Sequence, residues 1–360
     1  MIAADGLDRR SAKLLTIDAN GRMRHLLRRE LATLLRPGDL VIANDAATLP
    51  ASLRGTHCAS GDPIEVRLAA WVSPRDPTRF VAIAFGAGDH HTRTEERAPP
   101  PSLSPDDRLS LGSLIAVVEQ TLDHPRLFTL RFLGNREAVL GGLARHGRPI
   151  QYAHVPEPLA LWEVWTRIAA DPVAFEPPSA GFALDWRTLA AWRQRRISLA
   201  TLTHAAGISS TGDPTLDLRL PFDEPYRIPE RTAAAIHRAK SEGGCIIAIG
   251  TTVVRALESA ANAEGTVCAG GGIAGGRIVR KTPLRVVDAI LTGVHLPGES
   301  HFELLRAFAD DAVLDHISAA VWEHGYRAHE FGDSMLIERR PRVPPTPGVF
   351  SYRPSVRLMA

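Results

Sequence analysis

The chain changes character twice, and those two changes limit what it can fold into. Before about residue 62 and after about residue 150, short apolar runs alternate with segments of helical spacing. Between them lie four strand-like stretches, 63–72, 79–85, 113–119 and 126–133, separated by turn-rich segments such as Pro99-Pro100-Pro101. Short strands with little helix between them predict a compact antiparallel barrel or sandwich. Strands alternating with helices predict a sheet flanked by helices. The expected fold class is therefore α/β: a large α/β domain, 1–61 plus 151–345, carrying an inserted small antiparallel β-barrel domain, 62–150. The remaining segment, 346–360, reads as a loosely held tail, since the chain after 339 is Arg-rich and carries several prolines.

Within the outer parts, 12–18 and 39–44 read as strands. Leu26, Leu27, Leu31, Leu34 and Leu35 between them recur at helical spacing and stop at Arg36-Pro37-Gly38, so the chain is expected to open β-α-β. Helices are expected at 158–171, 185–196, 230–241, 253–263, 284–291, 302–309 and 311–324, and a strand at 197–203. The run 245–249 (CIIAI) is apolar throughout, as in a parallel strand buried on both faces.

Composition narrows the function classes. With 44% hydrophobic and 23% charged residues over 360, the chain can bury a sizeable core. Its net charge of +2 gives no global field for nucleic acid, so such binding needs a local patch. Basic clusters occur at 8–36 (Arg9, Arg10, Lys13, Arg22, Arg24, Arg28, Arg29, Arg36), at Arg187, Arg193, Arg195 and Arg196, and at Arg277, Arg280, Lys281 and Arg285. Each fits a phosphate footprint or a solvated face. Three scattered cysteines without a CxxC argue against a disulfide framework and a cysteine zinc site. No signal-peptide pattern or spanning apolar run is present, so a cytoplasmic protein with no membrane partner is expected. No HExxH, GxSxG or spaced Cys/His cluster occurs, and no metal is expected.

Four segments carry possible chemistry. In GTTVVRALESAA (Gly250 to Ala261) a buried strand ends, Gly250 permits a tight turn, and Thr251 or Thr252 can cap the next helix. Ligands in α/β sheets bind beyond the carboxyl ends of strands, where helix amides suit a carboxylate or phosphate. Arg255 opposes the helix dipole, which an anion held there would explain; Arg255 and Glu258 also fit an ordinary surface pair. In RVVDAILTGVHLPGES, Asp288 is placed on a helix and His295 at its end, as a base or as a backbone partner. In PGDLVIANDAATLPASL, Asn44 and Asp45 follow a strand, where they line a cleft or make an Asx turn. GDSMLI places Asp333 and Met335 at a short strand. Gly270, Gly272 and Gly275 spell GxGxxG but precede a basic strand or loop, not a helix, which argues against a dinucleotide site.

Taken in order, RPGDLVIANDAATLPASL, PPSAGFALDW, IPERTAAAIHRAKSEGG, IAIGTTVVRALESAA, RVVDAILTGVHLP and FGDSMLI resemble the S-adenosylmethionine:tRNA ribosyltransferase-isomerases of queuosine biosynthesis. The resemblance implies an α/β domain with an inserted β-barrel. It implies transfer and isomerisation of the ribosyl moiety of S-adenosylmethionine onto 7-aminomethyl-7-deazaguanine in tRNA, giving epoxyqueuosine, with S-adenosylmethionine consumed as co-substrate. The implied partner is a tRNA anticodon loop met through local basic patches by a monomer. Carried over residue by residue, it makes His295, Glu224 and Asp288 catalytic. Asn44, Asp45, Gly250, Thr251, Thr252, Arg255, Glu258, Asp333 and Met335 become substrate-binding. The chain departs from the family pattern within its motifs: Ala46-Ala47 replaces Thr-Arg, Ala183 replaces a His, Gly293 an Asn, and only Glu224 survives of a His-rich segment. His204 stands one position after an expected His. These losses carry a second expectation, a divergent paralogue that binds tRNA or S-adenosylmethionine without turnover, or acts on another adenosyl substrate.

Overall fold

The structure, a computed structural model, describes residues 2–4, 6 and 11–339. The expected tail at 346–360, and Arg9 and Arg10 of the first basic cluster, lie outside the described residues.

The apolar run at Ile246–Ile249 is a strand with parallel neighbours on both sides, Leu40–Asn44 and Ala289–Gly293. It sits near the middle of a nine-stranded mixed sheet. The strand order is Gly270–Ala274, Glu224–Ile228, Ser198–His204, Leu40–Asn44, Ile246–Ile249, Ala289–Gly293, Ser334–Glu338, Lys13–Ile17 and Met23–Leu27. Side chains alternate across a strand, so Leu40 and Ile42 enter one core and Val41 and Ala43 the other. The first core is closed by the helices Thr251–Ala260, Ser300–Leu305 and Asp311–Glu323, the second by Leu31–Leu34 and Trp186–Gln194. The expected helix at 230–241 is Glu230–Ser241, on the first face.

Beyond Asn44 the chain leaves the sheet and builds a closed six-stranded antiparallel barrel, as expected for the inserted part. Around the barrel run Leu114–Thr121, Leu127–Phe132, Arg79–Phe85, Pro63–Trp71, Ser52–His57 and Arg108–Leu111. Closure leaves no unpaired strand edge. Ser52–His57 joins it from upstream of 62, and a helix not read from the sequence, Arg136–His146, packs Gly142 against Leu114 and adds Val139 and Leu143 to the barrel core. The chain's exit from the barrel is zipped to its entry, since Asp171–Ala174 pairs in parallel with Ala46–Thr48. Both connections therefore emerge at the carboxyl edge of the sheet.

Two expected helices are not formed, and a third is cut to a 3-10 turn and one short helix. Leu26 and Leu27 belong to Met23–Leu27, which hairpins onto Lys13–Ile17; only a 3-10 turn and the short Leu31–Leu34 helix follow. The chain opens β-β, because ladder bonds to an adjacent strand override a leucine spacing. The 158–171 segment holds a single 3-10 turn, Leu161–Glu163, and then extends to pair with Ala46–Thr48. The 284–291 segment runs into the strand Ala289–Gly293, bonded to neighbours on both sides. Its β-branched Val286, Val287 and Ile290 suit that fate. Gly270–Ala274 is an edge strand and opens no helix, as the dinucleotide fingerprint would require.

The barrel core is organised around Phe80, fully buried and edge-on to Phe132 and Phe175. Phe80→Ala should cost about 3–5 kcal/mol, as large-to-small core changes of aromatics do. A fall in the thermal midpoint, read by circular dichroism, checks it.

Candidate active site

The carboxyl ends of the parallel strands and the adjoining barrel face enclose a cavity of about 680 Å³, within the range of pockets that bury small molecules. One wall is the turn from Ile249 into the helix Thr251–Ala260. Gly250 makes that turn with φ +92°, a conformation side chains disfavour, and its N–H donates to Leu291 O at 2.8 Å. Neither threonine caps the helix by its side chain. The first-turn amides thus open on the cavity with the positive end of the helix behind them.

Behind that wall Arg255 is buried against Glu224 in a direct ion pair. The guanidinium also donates to Ala274 O (2.7 Å) and Phe222 O (3.2 Å). The other Glu224 oxygen accepts Gly207 N–H at 2.6 Å. Gly207 must be glycine here, because a Cβ would lie 2.7 Å from Ala69 O, at an irregular register of the barrel strand Pro63–Trp71. His204 lies fully buried 3.5 Å from Glu224, with neither ring nitrogen hydrogen-bonded; burial, then the charge of Arg255, holds its pKa down to about 3. The anion that Arg255 holds is therefore the protein's own carboxylate. Both Glu224 oxygens are thus occupied within the protein. Arg255 and Glu258 do not pair.

The rest of the cavity is lined by histidine–carboxylate pairs. His295 bonds Thr292 Oγ1 through Nε2 at 2.9 Å and faces Glu299 through Nδ1 at 3.6 Å. It stacks on His301 at 4.9 Å, and burial, then that neighbour, holds His301 down to about 4. In the same lining His154 bonds Glu330 at 2.9 Å and stacks on His329. Burial alone would push Glu330 up; the bond and charge of His154 outweigh it and hold the carboxyl below its ordinary value. Tyr152 and Glu176 complete this wall.

Of the expected residues, Glu224, Gly250, Thr251, Thr252, Arg255 and His295 line the cavity. The others are placed elsewhere and spent on framework. Asp288 sits at the opposite edge of the sheet, accepting Ile246 N–H at 2.9 Å and pairing with Arg339, so it has no route to a substrate in the cavity. Glu258 accepts three amides, of Arg285, Val286 and Val287. Asn44 pins two strand ends through His204 N–H and carbonyl, and Asp45 accepts Thr203 Oγ1. Asp333 accepts Lys13 and Arg327 amides, and Met335 lies in the core. Sequence reasoning missed Glu176, Glu299, His301 and Glu330, which stand beside PPSAG, HLP and FGDSMLI, and Tyr152, His154 and His329, which no motif marked.

The basic clusters also separate. Arg277 rims the cavity beside exposed Arg280 and Lys281. Arg195 holds the Ala32 and Leu35 carbonyls, Arg28 is buried against Gly332 O, and Lys13 caps His324 and Gly325. Among the described residues, the ligand atoms of Asp89, His90 and His91 lie within 4.8 Å of one another, outside the cavity lining and bonded to each other or to Pro156 O. No helix among them is long and apolar enough to cross a membrane.

An α/β sheet carrying an inserted barrel, with a His/Glu-lined cavity at the strand ends between them, defines the class. A family model described as "Queuosine biosynthesis protein" matches residues 1–337, and the chain belongs to that family. It is 34% identical to the S-adenosylmethionine:tRNA ribosyltransferase-isomerase of Thermus thermophilus over 93% of this chain and 95% of that one. The protein of the same name in Gloeobacter violaceus is 32% identical over 91% and 89%. The crystal structure of S-adenosylmethionine tRNA ribosyltransferase from Thermotoga maritima has the same fold, with TM-score 0.50 and 20% identity over 94% of this chain and 96% of that one.

Arg255→Ala leaves Glu224 buried without its partner and should cost about 3–5 kcal/mol by chemical denaturation; replacing both by apolar residues should cost less. Acid should act through His204 and His301. Unfolded, each ring takes a proton near the ordinary histidine value of 6.5, while the fold withholds it to about 3 and about 4. The unfolded state then binds more protons, so stability falls as pH drops below that value. A series of thermal midpoints from neutral to acid pH checks the slope, which His301→Gln should flatten.

Proposed function

We propose that this chain transfers and isomerises the ribosyl moiety of S-adenosylmethionine onto 7-aminomethyl-7-deazaguanine in tRNA, in the cytoplasm, giving epoxyqueuosine. The observation that carries the reading is the cavity itself: an uncapped helix N-terminus and histidine–carboxylate pairs face one half-open cleft in a chain of this family. The chemistry asks for a carboxylate clamp, a negative lining for a sulfonium, a base, and exclusion of water.

The amides after Gly250 hold the methionine carboxylate, with Thr251 and Thr252 hydroxyls beside them. Glu299 and Glu330 supply the negative lining that favours the sulfonium. His295 takes the C5′ proton that the sulfonium acidifies at Nε2, the Thr292 hydroxyl turning away from that nitrogen, while Glu299 orients the ring through Nδ1 and steadies the imidazolium. Glu224 and Arg255 keep the floor of the site in place. The exposed Arg93 and Arg277 at the cavity, with exposed Lys281 near Arg277 in the chain, meet the anticodon-loop phosphates, and the protein acts as a monomer.

Incubation with S-adenosylmethionine and tRNA bearing the aminomethyl-deazaguanine should release adenine and methionine. No release at high protein concentration overturns the reading. His295→Ala should lower kcat by about 10²–10⁴-fold, the usual contribution of a positioned base, with S-adenosylmethionine binding by calorimetry retained.

A further inference from the structure

Glu176 has no role in the scheme above, yet it is buried in the cavity wall. Its Oε1 lies 2.5 Å from the Tyr152 hydroxyl, and that same hydroxyl lies 3.0 Å from the carbonyl oxygen of Ser210. A phenol has one proton and a carbonyl has none. Were Glu176 a carboxylate, Tyr152 would face two acceptors with one hydrogen to give. A carboxylic acid satisfies both contacts, with Glu176 donating to the Tyr152 oxygen and Tyr152 donating to Ser210.

The surroundings favour the same form. Burial pushes Glu176 up to about 7; Ser209 and Tyr152 oppose it by hydrogen bonding, and the nearby Glu330 charge adds to it. None of the hydrogen bonds or ion pairs of the nearby cations reaches Glu176. Arg67, 5.8 Å from the Tyr152 ring centroid on the barrel side, shares Glu65 with Arg97, and its Nη1 has no hydrogen-bond partner. Arg255 on the sheet side is paired with Glu224, and His154 with Glu330.

We propose that Glu176 is held as a carboxylic acid and is the proton donor to the nucleobase that leaves during ribosyl transfer, with Tyr152 as its positioning residue. The donor role rests on the reaction proposed above. In that step the ribosyl C1′–N bond breaks and its electron pair stays on the departing base. The Glu176 O–H proton bonds to a ring nitrogen of that base, leaving a carboxylate. Tyr152 then turns its own proton from Ser210 to the new carboxylate, and Ser209 donates as well. Water returns the proton to Glu176 after the base has left.

Glu176→Gln keeps the shape and removes the acid. The wild-type-minus-E176Q infrared difference spectrum should contain a protonated-carboxyl band in mildly acid buffer that shifts in deuterium oxide and fades as pH rises through about 7. Tyr152→Phe should move the pH at which the band fades. With S-adenosylmethionine and precursor-bearing tRNA, E176Q should lower the kcat for adenine release by about 10²–10⁴-fold. It should also remove the alkaline limb of the pH profile and leave the calorimetric Kd for S-adenosylmethionine unchanged. A missing band overturns the held acid, and an unchanged kcat in E176Q overturns the donor role. Wild-type protein that releases no adenine overturns the reaction and the donor role together, while the band, read without any substrate, still decides the protonation state.

Discussion

The buried ion pair between Glu224 and Arg255 is the contact on which the rest of the cavity depends. Glu224 begins a strand near the sheet edge, Arg255 lies on the helix that follows the central strand, and Gly207 closes the third side from the loop after His204. Taking two charges out of water costs several kcal/mol each, so the pair is tolerable only because most of its remaining valences are met. The guanidinium reaches two backbone carbonyls through Nη2 and the second carboxylate oxygen takes an amide, while the buried Nε has no hydrogen-bond partner. The charge that the helix start places in the cavity is therefore that of its amides, with the nearby arginine neutralised.

The same contact ties the barrel to the sheet. Gly207 sits against Ala69 O, where the barrel strand shifts register, and Ile208 N–H donates to that oxygen at 3.3 Å. Tyr152 follows the barrel in the chain, and its ring lies by Arg67, whose guanidinium is also 4.7 Å from the Phe85 ring centroid. The inserted barrel is thus the rigid backing of one cavity wall, as the sheet is of the other. Rigid elements on both sides allow groups of opposed acid–base character to be held apart in one space: His295 by the sheet, Glu176 by the barrel side.

Much of the fold was legible from local pattern. The apolar run at 246–249, the Gly-Thr-Thr turn and the turn-rich β island have short-range physical causes, and the structure contains all three. The expectations that fell were helices at 26–35, 158–171 and 284–291, each resting on spacing alone. In each place the backbone found a strand partner, adjacent in the chain for the first and remote for the other two, and ladder bonds outweighed weak helical periodicity.

The sequence by itself determined the layered architecture, the family, and the turn at Gly250, because these follow from side-chain periodicity, a conformation open to glycine, and the order of motifs. Only the tertiary structure decided which polar residues share the cavity. Asp288, Glu258 and Asp333 stand in the motifs but are consumed by backbone amides at sheet edges and turns. Tyr152, Glu176 and Glu330 come from segments far apart in the chain and meet at the cavity. Whether a carboxylate binds framework or faces a ligand depends on which amides and cations the fold brings within hydrogen-bonding distance of it, and that distance is set by packing between elements remote in the chain.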